Sequence, residues 1–280
     1  MGNDVTLAVD YSTGVLSKDT PTEYERIHLL QDWIDPETRE VISKIGVQPG
    51  WRCLEIGAGA GSVANWLADE CAQGSVTAVD IDARYLNGLD RPNLRVLEGD
   101  IGAMSFEPGS FDLIHARLTF CHLPNRNEVL AGAVRWLAPG GWLVIGDLFS
   151  FPEEFSTYEL RRRFLGGMAK LYQAQGSDMA WAPTMPSRMG QEGLRAIGTR
   201  MMANNVGDGS AYDRFSLVNT RQHCTYLVER GLLTPEEMDQ LVAQLDDPTF
   251  LELRTITIYA WGQRPLSRSE HAGADGLKFP

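Results

Sequence analysis

Leu54-Glu55-Ile56-Gly57-Ala58-Gly59-Ala60-Gly61-Ser62 follows a short apolar run at 51–56 and leads into a segment, 62–71, whose Val63, Trp66 and Leu67 share one helical face. A strand that enters a helix through three glycines is a backbone able to turn tightly and let a ligand come close. Such a turn can hold a dinucleotide pyrophosphate at the helix N-terminus. The spacing opposes that use: the dinucleotide fingerprint wants Gly or Ala where Ser62 stands, and the third glycine here is Gly61. A carboxylate at Glu55 would also repel a pyrophosphate, whereas it suits a ligand that carries an ammonium group.

Working outward, apolar β-branched runs alternate with helix-period segments. Strands are expected at 75–80, 94–98, 111–116 and 142–146. Asn125 and Glu128 have the spacing of an N-cap and its N3 partner, opening a helix that Pro139-Gly140-Gly141 stops. This alternation predicts an α/β fold with a doubly wound, mostly parallel sheet, whose ligands bind beyond the carboxyl ends of the strands. Asp80 and Asp100 fall at two of those ends. Each acid alone is equally well read as a solvated carboxylate; together with Glu55 they make three acids on three strand ends.

Segments on either side of this core break the pattern. Residues 22–44 read as two helices broken at Asp35-Pro36. After Asp147 come a helical insertion, a sixth strand at 200–206, helices at 212–230 and 235–245, and a last strand at 255–261. The expected division is a tail and helical lid at 1–46, a cofactor-binding core at 47–151 and a helical cap at 152–197. Final strands with a second helical insertion fill 198–263, and a disordered tail 264–280. Lid and cap are expected to meet over the carboxyl edge of the sheet.

The formal net charge of −12 over 280 residues opposes a nucleic-acid partner, Arg161-Arg162-Arg163 being the one obvious basic run. No signal-peptide pattern and no apolar run near the roughly 20 residues of a membrane span is evident, so a cytoplasmic protein without a membrane role is expected. Cys53, Cys71, Cys121 and Cys224 are scattered, the usual pattern of reduced thiols. No His/Asp/Glu cluster has metal-ligand spacing, and no metal is expected.

With these motifs in view, residues from about 22 to 261 resemble class I S-adenosylmethionine-dependent methyltransferases, of the bacterial small-molecule type with an N-terminal helical lid and a cap after the fifth strand. The resemblance implies a seven-stranded Rossmann-like sheet and S-adenosyl-L-methionine as cofactor. It implies that Glu55, Gly57, Ala58, Gly59 and Gly61 surround the methionine end, that Asp80 binds the ribose and Ile81 packs on the adenine, and that Asp100 and Ile101 read the adenine edge. Phe111-Asp112-Leu113-Ile114-His115-Ala116-Arg117 is similar to the family's fourth-strand motif, which places the Ala116 carbonyl at the methionine ammonium. Leu137-Ala138-Pro139-Gly140-Gly141-Trp142-Leu143 is similar to its helix-to-fifth-strand turn.

Methyl transfer is a displacement on an already activated sulfonium, so the protein aligns, and supplies a base only if the nucleophile must lose a proton. His122, after the fourth strand, is the candidate base; the competing reading is a histidine pinning its loop. His115, within the strand, reads as structural. His223 and Asp147 are candidate substrate contacts. Tyr172 and Trp181, with Met179 and Met185, either line an apolar acceptor site or form the cap's own core. Tyr24 and Arg26 of the lid are expected over the cofactor, Arg26 pairing with its carboxylate or with a neighbouring glutamate. The implied activity is methylation of a small, partly apolar metabolite, as in natural-product biosynthesis, with O-methylation ahead of N- or C-, by a monomer or homodimer. The alternative keeps fold and cofactor but catalyses a cyclisation or elimination.

Overall fold

A computed structural model describes residues 14–266. Its seven strands are β1 (Arg52–Ile56), β2 (Ser75–Asp80), β3 (Leu94–Glu98), β4 (Phe111–Arg117), β5 (Leu137–Ser150), β6 (Arg195–Val206) and β7 (Glu252–Gln263). The helices are α1 (Glu23–Ile45), α2 (Ser62–Glu70), α3 (Arg126–Trp136), α4 (Glu159–Ala174), α5 (Met185–Gln191), α6 (Ala211–Glu229) and α7 (Pro235–Leu245). The strands form one sheet in the order β3-β2-β1-β4-β5-β7-β6, parallel except that β7 runs antiparallel to both neighbours. The expected mostly parallel Rossmann-like sheet is therefore present.

Successive side chains of a strand point to opposite faces, and the central strands bury both. Leu54, Ile56, Ile114, Leu143 and Ile145 pack with Val129, Ala133 and Trp136 of α3 and with Met185 and Met189 of α5. Cys53, Leu113, Val144 and Tyr259 face the other way, onto Trp33, Ile34, Val41 and Ile42 of α1 and Val63 and Leu67 of α2. Because β2 lies on one side of β1 and β4 on the other, chain connections diverge above the carboxyl ends of β1 and β4. That crevice is where sheets of this kind take ligands.

The structure corrects several local expectations. The two helices expected at 22–44 are one, α1, with Pro36 inside it. An interior proline costs a helix about 3 kcal/mol, but both halves of α1 are anchored: Trp33, Ile34, Val41 and Ile42 are buried, and the Thr38 hydroxyl donates to the Ile34 carbonyl at 3.0 Å. Asn125 is the N-cap of α3 but its side chain makes no capping bond. The helix ends at Trp136, before the Pro139 turn, because β5 already begins at Leu137. A reciprocal capping box is found instead at α7, between Thr234 and Glu237. β6 and β7 extend beyond their expected limits at both or one end, pairing along most of their length. Most of the tail expected at 264–280 lies outside the described residues, as do residues 1–13 of the N-terminal segment.

Candidate active site

A cavity of about 480 Å3 opens over the carboxyl ends of the sheet, walled by the β1, β2 and β4 turns below and by α1, α4 and α6 above. Its floor is the glycine turn. At Gly57, φ is +72° and a Cβ would stand 2.1 Å from the Thr119 hydroxyl. At Gly59, φ is +63° and a Cβ would meet nothing within 4 Å. The first glycine lets the β4 turn close down on the β1 turn; the second leaves the cavity floor bare for a ligand to approach.

Glu55 lines the cavity and is 3% exposed. His115, fully buried on the neighbouring strand, holds its Oε2 at 2.6 Å through Nδ1. His115 Nε2 has no hydrogen-bond partner among the described residues. The Glu55 carboxyl group stands at the cavity wall, the complement of an ammonium. Asp80 ends β2 with Oδ2 accepting the Gly59 N–H at 2.7 Å. Its Oδ1 accepts the Asp82 N–H at 3.1 Å and the Lys18 ammonium at 3.2 Å. Ile81, Asp100 and Ile101 line the same end, and Asp100 Oδ1 accepts the Gly102 N–H at 2.7 Å.

Above the floor, Leu118 adopts φ +50°, a strained conformation for a leucine, between β4 and the turn that carries His122. His122 lines the cavity, half-buried, with Nδ1 3.2 Å from the Ser177 hydroxyl. Loss of solvent, with Arg26, His223 and Arg126 nearby, pushes its imidazole down to about 3, so it is neutral. Next to it stands Tyr172, ring centroids 5.6 Å apart. The Tyr172 hydroxyl lies 2.6 Å from His223 Nε2, while His223 Nδ1 lies 2.7 Å from the Asn219 carbonyl. The carbonyl can only accept, so Nδ1 carries the proton and Nε2 accepts from the tyrosine. Burial pushes His223 down to about 4 and raises the Tyr172 phenol.

Several expected site residues stand elsewhere. Trp181 is 2% exposed and stacks on Phe120 at 5.5 Å inside the core; it and Met185 pack into the sheet's core, and of the four expected cap residues Tyr172 and Met179 reach the cavity. Asp147 is fully buried and accepts the Cys121 N–H at 2.9 Å, holding the His122 turn rather than facing the cavity. Tyr24 is 57% exposed against His28 and Tyr85. Gly61 serves the helix entry at φ +81°, under Leu86 and Leu89, and Ala116 lies within the paired part of β4, where Arg117, Leu118 and Thr119 form the wall instead. His223 stands behind Tyr172. Arg26 does line the cavity, with Nε and Nη2 donating to the neighbouring glutamate Glu23 at 2.8 and 2.7 Å.

Other wall residues carry no pattern in the sequence. Lys18 donates to Asp80, the Gly59 carbonyl and the Asp82 carbonyl from a turn before α1. Behind the wall, Gln222 of α6 donates to Glu23 at 2.6 Å and to the Val15 carbonyl at 2.6 Å, tying α1 and the turn before it to α6. Arg117 reaches Asp35 of α1 at 2.6 Å. Each joins segments far apart in sequence, which only the fold brings together.

Residues 54–145 match a family described as "Methyltransferase domain". The chain is 35% identical over 133 residues to Methyltransferase str3 of Strobilurus tenacellus, covering 46% of this chain and 47% of that one. It is 32% identical over 170 residues to Methyltransferase str2 of the same organism, covering 58% and 60%. The matches therefore span about half of those relatives' lengths. Among solved structures, Haemonchus contortus phosphoethanolamine N-methyltransferase 2, in complex with phosphomonomethylethanolamine and S-adenosylhomocysteine, superposes with a TM-score of 0.52 at 17% identity, over 91% of this chain and 56% of that one. Residues 54–145 therefore match a methyltransferase domain, and the sheet around them has the fold of solved methyltransferase structures. Among the described residues no helix is long and apolar enough to cross a membrane.

Proposed function

We propose that the protein transfers the methyl group of S-adenosylmethionine to a small, partly apolar acceptor. The observation that carries this reading is the floor of the cavity: a bare Gly59 between two fixed carboxylates, Glu55 and Asp80. The residues fit the cofactor. Glu55 suits its ammonium, Asp80 its ribose hydroxyls and Asp100 its adenine amine, and a cationic sulfonium between them meets an acid-rich wall. Bound, the cofactor supplies the activated methyl group.

The chain's own residues do the rest. Thr119 and the Leu118 turn close one side of the floor, and α1, α4 and α6 exclude water, which strengthens every polar contact inside. Neutral His122 has a lone pair for an acceptor's proton, and Tyr172 with His223 offers a second route: the phenol takes a proton as it passes its own to Nε2. Two such groups at the cavity wall support O-methylation ahead of C-methylation. A small apolar acceptor, of the kind made in natural-product biosynthesis, fits the walls of Leu148, Phe164, Leu165 and Met168. The Strobilurus relatives are methyltransferases by name, which favours methyl transfer over a cyclisation or elimination on the same fold.

The test is incubation with S-adenosylmethionine bearing a deuterated methyl group and a metabolite extract, followed by mass spectrometry. S-adenosylhomocysteine should appear together with one acceptor heavier by the labelled methyl, and His122→Ala should slow that product about 10²-fold with cofactor affinity unchanged. A product of unchanged composition would sink methyl transfer; a loss of only a few-fold would return His122 to holding its loop.

A further inference from the structure

The cavity changes character from one end to the other. Glu55, Asp80 and Asp100 stand at the strand-end side, whereas the side under α4 and the start of β7 combines apolar side chains with the hydroxyls of Ser150, Tyr212 and Thr255 and two guanidinium groups, Arg161 and Arg254. Arg161 is 1% exposed. Its Nε donates to Glu252 at 2.7 Å, and its guanidinium lies over the Phe250 ring, 5.5 Å from the centroid. Its Nη1 is shut off from solvent with no hydrogen-bond partner among the described residues.

Arg254 donates through Nη1 to the Phe151 carbonyl at 2.5 Å. Among the described residues it is in ion-pair contact with no carboxylate: Glu252 is engaged by Arg161. Burial pulls the Arg254 guanidinium below its ordinary range and Arg161 adds repulsion, while Tyr212, Glu252 and Glu153 act the other way from beyond contact. Two cations with one carboxylate in contact leave one guanidinium, that of Arg254, without an ion-pair partner among the described residues. A cation held there without a counter-ion is costly. A guanidinium fork matches the planar geometry of a carboxylate through two parallel N–H donors, as it also does a phosphate.

We propose that this end of the cavity is a carboxylate seat: the acceptor is an apolar carboxylic acid whose anion is received by Arg254, with Arg161 behind it, leaving the rest of the molecule to lie against Phe164, Leu165 and Met168 toward the cofactor end. This rests on the methyltransferase reading for what happens at the other end, but the seat itself is testable without turnover. A single excess charge selects a monoanion, so a phosphate monoester, with nearly two charges at neutral pH, fits less well.

The experiment is calorimetry on the full chain saturated with S-adenosylhomocysteine, titrated with 3-phenylpropanoate, 3-phenylpropan-1-ol and 3-phenylpropyl phosphate. The acid should bind at least about tenfold tighter than the alcohol, as expected for a charged hydrogen-bonded pair, and tighter than the phosphate. Arg254→Met should erase the acid–alcohol difference without moving the alcohol or S-adenosylhomocysteine, and Arg254→Lys should restore part of it. Acid and alcohol binding alike, no binding of the acid, or a difference that survives Arg254→Met would overturn the seat. Tighter phosphate binding would overturn the choice of carboxylate. If S-adenosylhomocysteine does not bind the wild type, the cofactor reading fails, and the acid–alcohol comparison on the unliganded chain still decides the seat.

Discussion

Asp147 shows how one carboxyl group can serve the site without touching a ligand. One oxygen accepts the Cys121 N–H at 2.9 Å and the other, Oδ1, is buried without a hydrogen-bond partner among the described residues. Burial pushes the carboxyl up to about 7, well above the ordinary 3.8. A raised folded-state value means that the stabilising contribution is complete below the unfolded value and is lost as pH rises through the folded one. Asp147→Asn keeps an acceptor for Cys121 and removes the ionisation. Thermal and urea unfolding between about pH 4 and 8 should therefore show wild type losing ground to Asp147→Asn as pH rises, by on the order of a few kcal/mol. Parallel pH profiles for the two proteins would show that Asp147 does not titrate inside the fold.

At the scale of elements, α1 explains how the lid is held. Its proline suggested a break, because local propensity sees the missing N–H and not the neighbours. In the fold, Thr38 donates to Ile34 and accepts from the Tyr259 hydroxyl at 2.6 Å and Arg117 at 3.2 Å, so one side chain binds α1 to β7 and β4. Thr38→Val would strand the Tyr259 hydroxyl in a buried site. The unfolding free energy should drop by about 1–3 kcal/mol, with an unchanged denaturant slope if only stability is affected; a loss under half of that would mean the junction is held by packing alone. The run Arg161-Arg162-Arg163 teaches the same lesson on α4. In sequence it reads as a basic patch, but a helix turns each residue about 100° from the last. Arg161 faces inward to Glu252, Arg162 reaches the Ser156 carbonyl, and Arg163 meets Glu237 at the surface.

For the whole molecule, the sheet was legible because strand and helix periods are local: β2 and β3 fall where the apolar runs put them, and the glycine spacing at 57–61 marks the ligand turn. The cofactor end of the cavity was legible for the same reason, since Glu55, Asp80 and Asp100 sit at strand ends that the pattern reveals. The other end was not. Arg161 of α4, Arg254 of β7 and Glu23 of α1 come from separate segments and acquire meaning only where those elements pack together over the sheet, as does Lys18 at the cofactor end. Trp181 and Asp147 carried the residue types of a site but turned inward, because a large aromatic and a turn-holding carboxylate are equally what a core needs.

The proposed cofactor site rests on the strand-end acids, with Asp80 on the ribose of S-adenosylmethionine. Asp80 has Oδ2 oriented by the Gly59 N–H and Oδ1 by the Asp82 N–H, and a ribose diol would share Oδ1 with the Lys18 ammonium or displace it. The measurement is isothermal calorimetry of S-adenosylhomocysteine binding to the wild-type chain and to Asp80→Ala. Binding on a micromolar scale is expected for the wild type, weakened in Asp80→Ala by about 1.5–3 kcal/mol, the worth of a hydrogen bond to a charged group. Equal affinity in the two proteins, or no binding to the wild type, would contradict the account.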